Sequence, residues 1–133
     1  MIKLSKAEQD RLKTAHADLQ KVVNKLCETS SIPFTVLECA RTVAQQKKNI
    51  KNGVSWTMRS RHIPSSNKCK CACAVDIAPT VDGKVSWAWP LYHKLAPEVR
   101  KAAKAVGVPV EWGGDWTKNK DGPHWQLPWK QYP

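Results

Sequence analysis

At 133 residues and 15.0 kDa, the chain has the size of one compact domain. Its 22 Lys and Arg against 11 Asp and Glu leave a net charge of +11, and a hydrophobic content of 41% suffices for a core, which excludes wholesale disorder. No apolar run is long enough for a transmembrane helix. Met1 to Lys6 leads into a polar helical pattern without an apolar signal segment, so the sequence reads as that of a soluble protein made in the cytosol.

Ser5 and Glu8 have the spacing of a capping box. Leu12, Ala15, Leu19, Val22, Val23 and Leu26 then recur three and four apart, which predicts one amphipathic helix over residues 6 to 28. Pro33 punctuates, and Phe34 to Cys39 reads as a strand. A second helix is expected over 43 to 52, stopped by Gly53 as a C-cap. Ala74 to Ala78 reads as another strand, and Asp82-Gly83 between Val81 and Val85 signals a hairpin. Pro97 is expected to open a helix that runs to Gly107, with Val108 to Trp112 returning as a strand. No repeat or linker interrupts the chain, so residues 1–133 read as a single domain. Strands and helices mixed without regular alternation point to an α+β fold, helices packed on a small antiparallel sheet.

The cations are spread from Lys3 to Lys130 without a block, giving a general positive field that favours any polyanion: nucleic acid, anionic lipid or an acidic wall polymer. Six of the seven tryptophans lie after residue 80. Basic plus aromatic is compatible with single-strand nucleic-acid stacking, but tryptophan building the core and rim of a small domain is the simpler reading.

Two segments concentrate groups capable of chemistry: Ser60-Arg61-His62 followed by Ala74-Val75-Asp76-Ile77-Ala78-Pro79, and Asp121-Gly122-Pro123-His124-Trp125. Two imidazoles and a carboxylate from separate elements can give zinc three ligands and leave a fourth position for water, whose pKa falls to about 7. A non-ligating carboxylate can then move the proton, and Asp121, three residues before His124, suits that role. By spacing alone, His62 and His124 could equally be ordinary surface histidines.

Taken in order, these motifs resemble the zinc peptidases of the D-alanyl-D-alanine carboxypeptidase family, and within it the phage endolysins that are L-alanyl-D-glutamate peptidases. The resemblance extends to Arg41-Thr42-Val43-Ala44-Gln45-Gln46, Asn49 to Gly53, Asp82-Gly83-Lys84 and Gly114-Asp115-Trp116, and so covers nearly the whole chain. It implies a Hedgehog/DD-peptidase type fold and one catalytic Zn2+ held by His62, Asp76 and His124. Asp121 becomes the catalytic base. Arg41 stands where the family places an arginine near substrate, able to support an oxyanion or hold a carboxylate, and Ser60 matches a motif serine that contacts substrate or caps local backbone. The implied substrate is the bacterial peptidoglycan stem peptide, cut at L-Ala–D-Glu to lyse a phage host. The enzyme is then expected to be a monomer without specific nucleic-acid partners. It would accumulate in the host cytoplasm and be released to the cell wall at lysis, its charge favouring the anionic envelope. The rivals are a D-Ala-D-Ala carboxypeptidase or dipeptidase, and a non-catalytic basic module that binds wall or nucleic acid.

One departure stands out. The family usually separates its His and Asp ligands by six residues, whereas thirteen, Ile63 to Val75, intervene here and include Cys69, Cys71 and Cys73. A loop insertion costs little closure entropy, so Asp76 can still reach the metal. The cysteines could be free thiols, a Cys69–Cys73 disulfide, or with His62 a closed Cys₃His zinc site. Cys27 and Cys39 are expected to be buried small hydrophobes. His16 on the first helix and His93 before a later one read as solvated. Glu111 and Asp115 are weaker candidate bases, and Trp125 and Trp129 are expected to pack beneath the last ligand.

Overall fold

The computed structural model describes every residue except Trp56, Met58 and Arg59. Its elements run α1 (Lys6–Leu12), α2 (Ala17–Thr29), β1 (Phe34–Glu38), α3 (Val43–Lys51), β2 (Ala74–Val81), β3 (Lys84–Val85), α4 (Trp89–Val106), β4 (Glu111–Trp112) and β5 (His124–Gln126). The strands form one antiparallel sheet in the order β1-β2-β5-β4, with β3 folding back on the far end of β2. This is the α+β architecture expected. The β2–β3 turn falls at Asp82-Gly83, where both residues adopt positive φ, as the hairpin signal requires.

β2 is the organising strand. Val75 and Ile77, both almost wholly buried, join a core that also takes Leu19, Val22, Val23 and Leu26 from α2 and Leu95, Val99 and Ala103 from α4. Burying each of these larger aliphatic side chains contributes about 1.5–3 kcal/mol. Between Val36 and Glu38 the β1–β2 register slips by a bulge, which sets Glu38 opposite Asp76. Such a bulge re-aims a side chain at a sheet edge, and here it turns Glu38 toward Arg41.

Several expectations need correction. The helix expected over residues 6 to 28 is two helices, interrupted at Lys13–His16. The Ser5–Glu8 capping box starts α1 as expected. At the break, however, Ala15 forms a parallel bridge with Ala72, with His16 N–H donating to the Ala72 carbonyl and Ala72 N–H to Thr14. Apolar spacing runs through this break unperturbed, because Leu12, Ala15 and Leu19 all face the core. His16 is not simply solvated: its Nδ1 caps α2 by accepting from Asp18 N–H at 3.0 Å, and its ring meets Tyr132 edge-on. The helix expected to open at Pro97 opens instead at Trp89 with Pro90 in its first turn, and Pro97 lies inside it. Both prolines offer the same start signal. His93 therefore lies within α4 and not before it; it is exposed, as expected, with its ring against Trp89 and Trp112. The strand expected over Val108 to Trp112 contracts to Glu111–Trp112, and β5 adds a short strand around the second histidine.

Candidate metal centre

Asp76 and His124 are directly opposed across the β2–β5 pair, which brings their side chains together on one face. The thirteen-residue interval leaves this pairing intact, because β2 forms its ladder from Ala74 onward. His62 arrives from a turn whose backbone is tied at several points. Arg41 N–H donates to the His62 carbonyl, Cys73 N–H donates to the Arg61 carbonyl, and the Ser60 hydroxyl accepts from His62 N–H. Arg61 pins the same turn to the C-terminal segment through the Leu127 carbonyl, with its guanidinium 3.8 Å over the Trp129 ring.

The three side chains converge. His62 Nε2 lies 3.1 Å from Asp76 Oδ1 and 3.2 Å from His124 Nδ1, and His124 Nδ1 lies 3.4 Å from the same carboxylate oxygen. A tetrahedral zinc with bonds of about 2.0–2.1 Å requires donors roughly 3.3 Å apart, so this triangle has the right size. Protonation agrees with that geometry. His62 Nδ1–H donates to the Cys39 carbonyl at 2.7 Å and His124 Nε2–H to Gln126 Oε1 at 2.7 Å, so each ring turns a bare nitrogen toward the centre. Two lone pairs and a carboxylate oxygen thus face one another, an arrangement that calls for a cation between them. The triad is among the described groups able to hold a metal ion.

The electrostatics follow from the same contacts. Burial opposes a charge on Asp76, yet the facing His62 and His124 overcome it and hold the carboxyl far below the usual carboxylate range. Burial likewise opposes a charge on His62, and Asp76 more than compensates, so this imidazole holds a proton more tightly than an ordinary histidine. Asp121 behaves differently. Burial first, then the Asp76 charge, raise its carboxyl above the ordinary value, against the pull of His124, His62 and Arg41. A carboxyl that senses all four groups shares their site.

Arg41 is held from two sides. Its Nε and Nη2 donate to Glu38 Oε1, its Nη1 donates to Gln46 Oε1 at 2.7 Å, and Nη2 lies 4.0 Å from Asp76 Oδ2. Gln46, fully buried, is fixed in turn through its amide by Ser55 Oγ and the Thr57 carbonyl. Gly113 is also structural to the site: a Cβ there would stand 2.5 Å from the Asp121 carbonyl and 3.1 Å from the His124 Cβ. Its carbonyl receives Asp121 N–H at 3.0 Å, so only glycine lets the 113 backbone lie against the 121–124 turn. Glu38, Gln46, Gly113 and Gln126 are common residue types in unremarkable spacings. Only the fold gives them meaning.

The weaker candidates lie outside the triad. Glu111 is exposed, and Asp115, also exposed, pairs with Arg100. Trp125 is buried and stacks on Trp112, and Trp129 lies under the Arg61 guanidinium. Cys27 and Cys39 are buried free thiols, with burial and the charges of Asp76 and Glu38 pushing Cys39 up to about 12. In the interval between the ligands the disulfide joins Cys69 to Cys71, not to Cys73. A Cys₃His site using His62 is not assembled, since both of its ring nitrogens are engaged elsewhere.

The sequence and fold are similar to those of known proteins. The family described as phage L-alanyl-D-glutamate peptidase matches residues 1–126. The L-alanyl-D-glutamate peptidase of Escherichia phage T5 is 32% identical over 120 residues, covering 90% of this chain and 85% of that protein. That of Listeria phage A118 is 32% identical over 105 residues, 79% of this chain but only 34% of the longer relative. The crystal structure of Serratia marcescens L-Ala D-Glu endopeptidase ChiX superposes with a TM-score of 0.84 at 38% identity, covering 98% of this chain and 92% of that one.

Proposed function

The chain belongs to the phage L-alanyl-D-glutamate peptidase family, and on that premise we propose that it is a zinc-dependent endolysin with His62, Asp76 and His124 as its metal ligands. It hydrolyses the amide between L-Ala and D-Glu in the peptidoglycan stem peptide. The observation that carries the zinc assignment is the triangle of donors 3.1–3.4 Å apart, with each imidazole locked in the tautomer that leaves a lone pair inward.

Zinc, when bound, supplies a Lewis acid and lowers the pKa of water to about 7. The remaining work falls to the chain. Asp121 accepts a proton from the attacking water and delivers it to the departing D-Glu amine, while the L-Ala carbonyl leaves as a carboxylate. Its place among Asp76, His62, His124 and Arg41 suits both halves of that transfer. Arg41, fixed by Glu38 and Gln46, presents a rigid positive charge at the rim, which stabilises the developing oxyanion or holds the D-Glu carboxylate. Ser60 accepts from His62 N–H and retains its own proton to offer a substrate carbonyl.

We place the enzyme in the host cytoplasm until lysis and at the wall thereafter, acting as a monomer. No helix among the described residues is long and apolar enough to cross a membrane. The net charge of +11 favours adsorption to the anionic envelope, an effect that added salt weakens. Purified peptidoglycan tests the reading. Digestion should release new L-Ala carboxyl and D-Glu amino termini, stop with EDTA and resume with Zn2+. Release of free D-Ala instead, or cleavage indifferent to EDTA, overturns it.

A further inference from the structure

We propose that Cys69, Cys71 and Cys73, when reduced, form a second metal site that holds one soft d10 cation of the zinc class through three thiolates. The three sulfurs lie within 4.8 Å of one another, and Cys69 Sγ is 3.7 Å from Cys73 Sγ. A tetrahedral ion with metal–sulfur bonds of about 2.3 Å sets its sulfurs roughly 3.8 Å apart, so Cys69 and Cys73 already have the spacing of two ligands. Reduction of the Cys69–Cys71 bond frees the third sulfur to take the same separation.

The scaffold around them is organised. Cys73 is buried at the mouth of β2, its N–H donating to the Arg61 carbonyl and its carbonyl accepting from Leu127 N–H. The loop ahead of it is gathered by Asn67, whose buried amide donates to the Arg61, Ile63 and Cys71 carbonyls. Cys71 N–H points at Cys69 Sγ at 3.1 Å, the kind of outer contact that orients a metal-bound thiolate. Charge is complementary as well. Three thiolates around a divalent ion leave one net negative charge, among Lys68, Lys70 and the nearby Arg61. Burial pushes the Cys73 thiol up and Arg61 draws it down, so a metal must displace its proton. With no imidazole or carboxylate in the trio, the donor set selects soft cations, and exposed Cys69 leaves a fourth position to water.

The site is redox-gated. Two thiols reacting with a low-molecular-weight disulfide form the Cys69–Cys71 bond and release two small thiols, and only Cys73 remains to bind the ion. A reducing compartment therefore loads the site and an oxidising one empties it.

The site is independent of the catalytic reading, and anaerobic Cd2+ titration of phosphine-reduced protein distinguishes the two. Wild type should take two ions per chain and show the ultraviolet thiolate-to-cadmium charge-transfer band. His124→Ala should keep one ion and the whole band. The triple variant C69S/C71S/C73S should keep one ion, show no band, and still clear walls when loaded with zinc. Oxidised glutathione should abolish the band in wild type. A reduced wild-type chain without the band overturns the proposal, as does a band that survives in the triple variant and so arises from Cys27 or Cys39.

Discussion

The interval Ile63–Val75 separates the first two donors of one three-atom cluster and carries another, and the two are built in opposite ways. His62 lies 14 residues from Asp76 and 62 from His124 along the chain, and the three meet only because β2 pairs with β5 and the His62 turn is pinned by Cys39 and Arg41. Cys69, Cys71 and Cys73 share five consecutive residues, and one of them is exposed. The first cluster requires the assembled sheet, so ion binding there reports on the whole fold. The second needs only a local turn, is open to solvent, and changes with the redox state of two sulfurs. A single chain thus holds a rigid oxygen-and-nitrogen centre beside a labile sulfur one.

The sharpest way to break this contrast is to separate holding the ion from using it. Asp121→Asn should retain the ion at the His–Asp–His centre while wall clearing falls by about 10²–10⁴-fold, the usual weight of a general acid–base. Metal content and turbidity measured on the same preparation check both halves. A smaller effect tests the rigidity of the triangle. Gln126→Leu removes the acceptor that fixes the His124 tautomer, so zinc affinity in competition with a chelator should drop about 10–100-fold, with sulfur-site binding unchanged.

Smaller still is an effect acting through the fold. The Glu8 carboxylate ties α1 to β1 by accepting from Val36 N–H at 2.9 Å and Thr35 Oγ1 at 3.1 Å. Burial opposes its charge, but these hydrogen bonds outweigh burial and set the carboxyl below its ordinary 4.5. Its contribution is therefore complete above pH 4.5 and is lost as pH falls through the lower folded value. Glu8→Gln should cost about 1 kcal/mol at neutral pH, and the gap in denaturant midpoint from wild type should close on acidification below that value. The smallest effect belongs to the exposed end of the sulfur loop, where Cys69→Ser should shift stability by no more than about 0.5 kcal/mol, read by thermal unfolding of reduced protein without added zinc.

The same contrast explains what the sequence could show. The capping box at Ser5, the Asp82-Gly83 hairpin and the Gly107 cap are local signals that hold wherever the surrounding chain goes. The donor residues were legible because their types and order resemble a family, while spacing alone left them ambiguous. The break at Lys13–His16 was hidden because its cause, the bridge to Ala72, lies far along the chain. β5 carries no sequence signal, because His-Trp-Gln has neither length nor alternation, and it exists by pairing with β2 on one side and β4 on the other. Gln126, Glu38, Gln46 and Gly113 acquire their roles from what they touch.

The most direct measurement is zinc content together with wall clearing in the C69S/C71S/C73S background, where the sulfur trio cannot contribute an ion. With His62 intact, the protein should carry one zinc per chain and clear walls, and adding His62→Ala should remove both. One zinc per chain with undiminished clearing after that substitution would contradict the metal assignment outright.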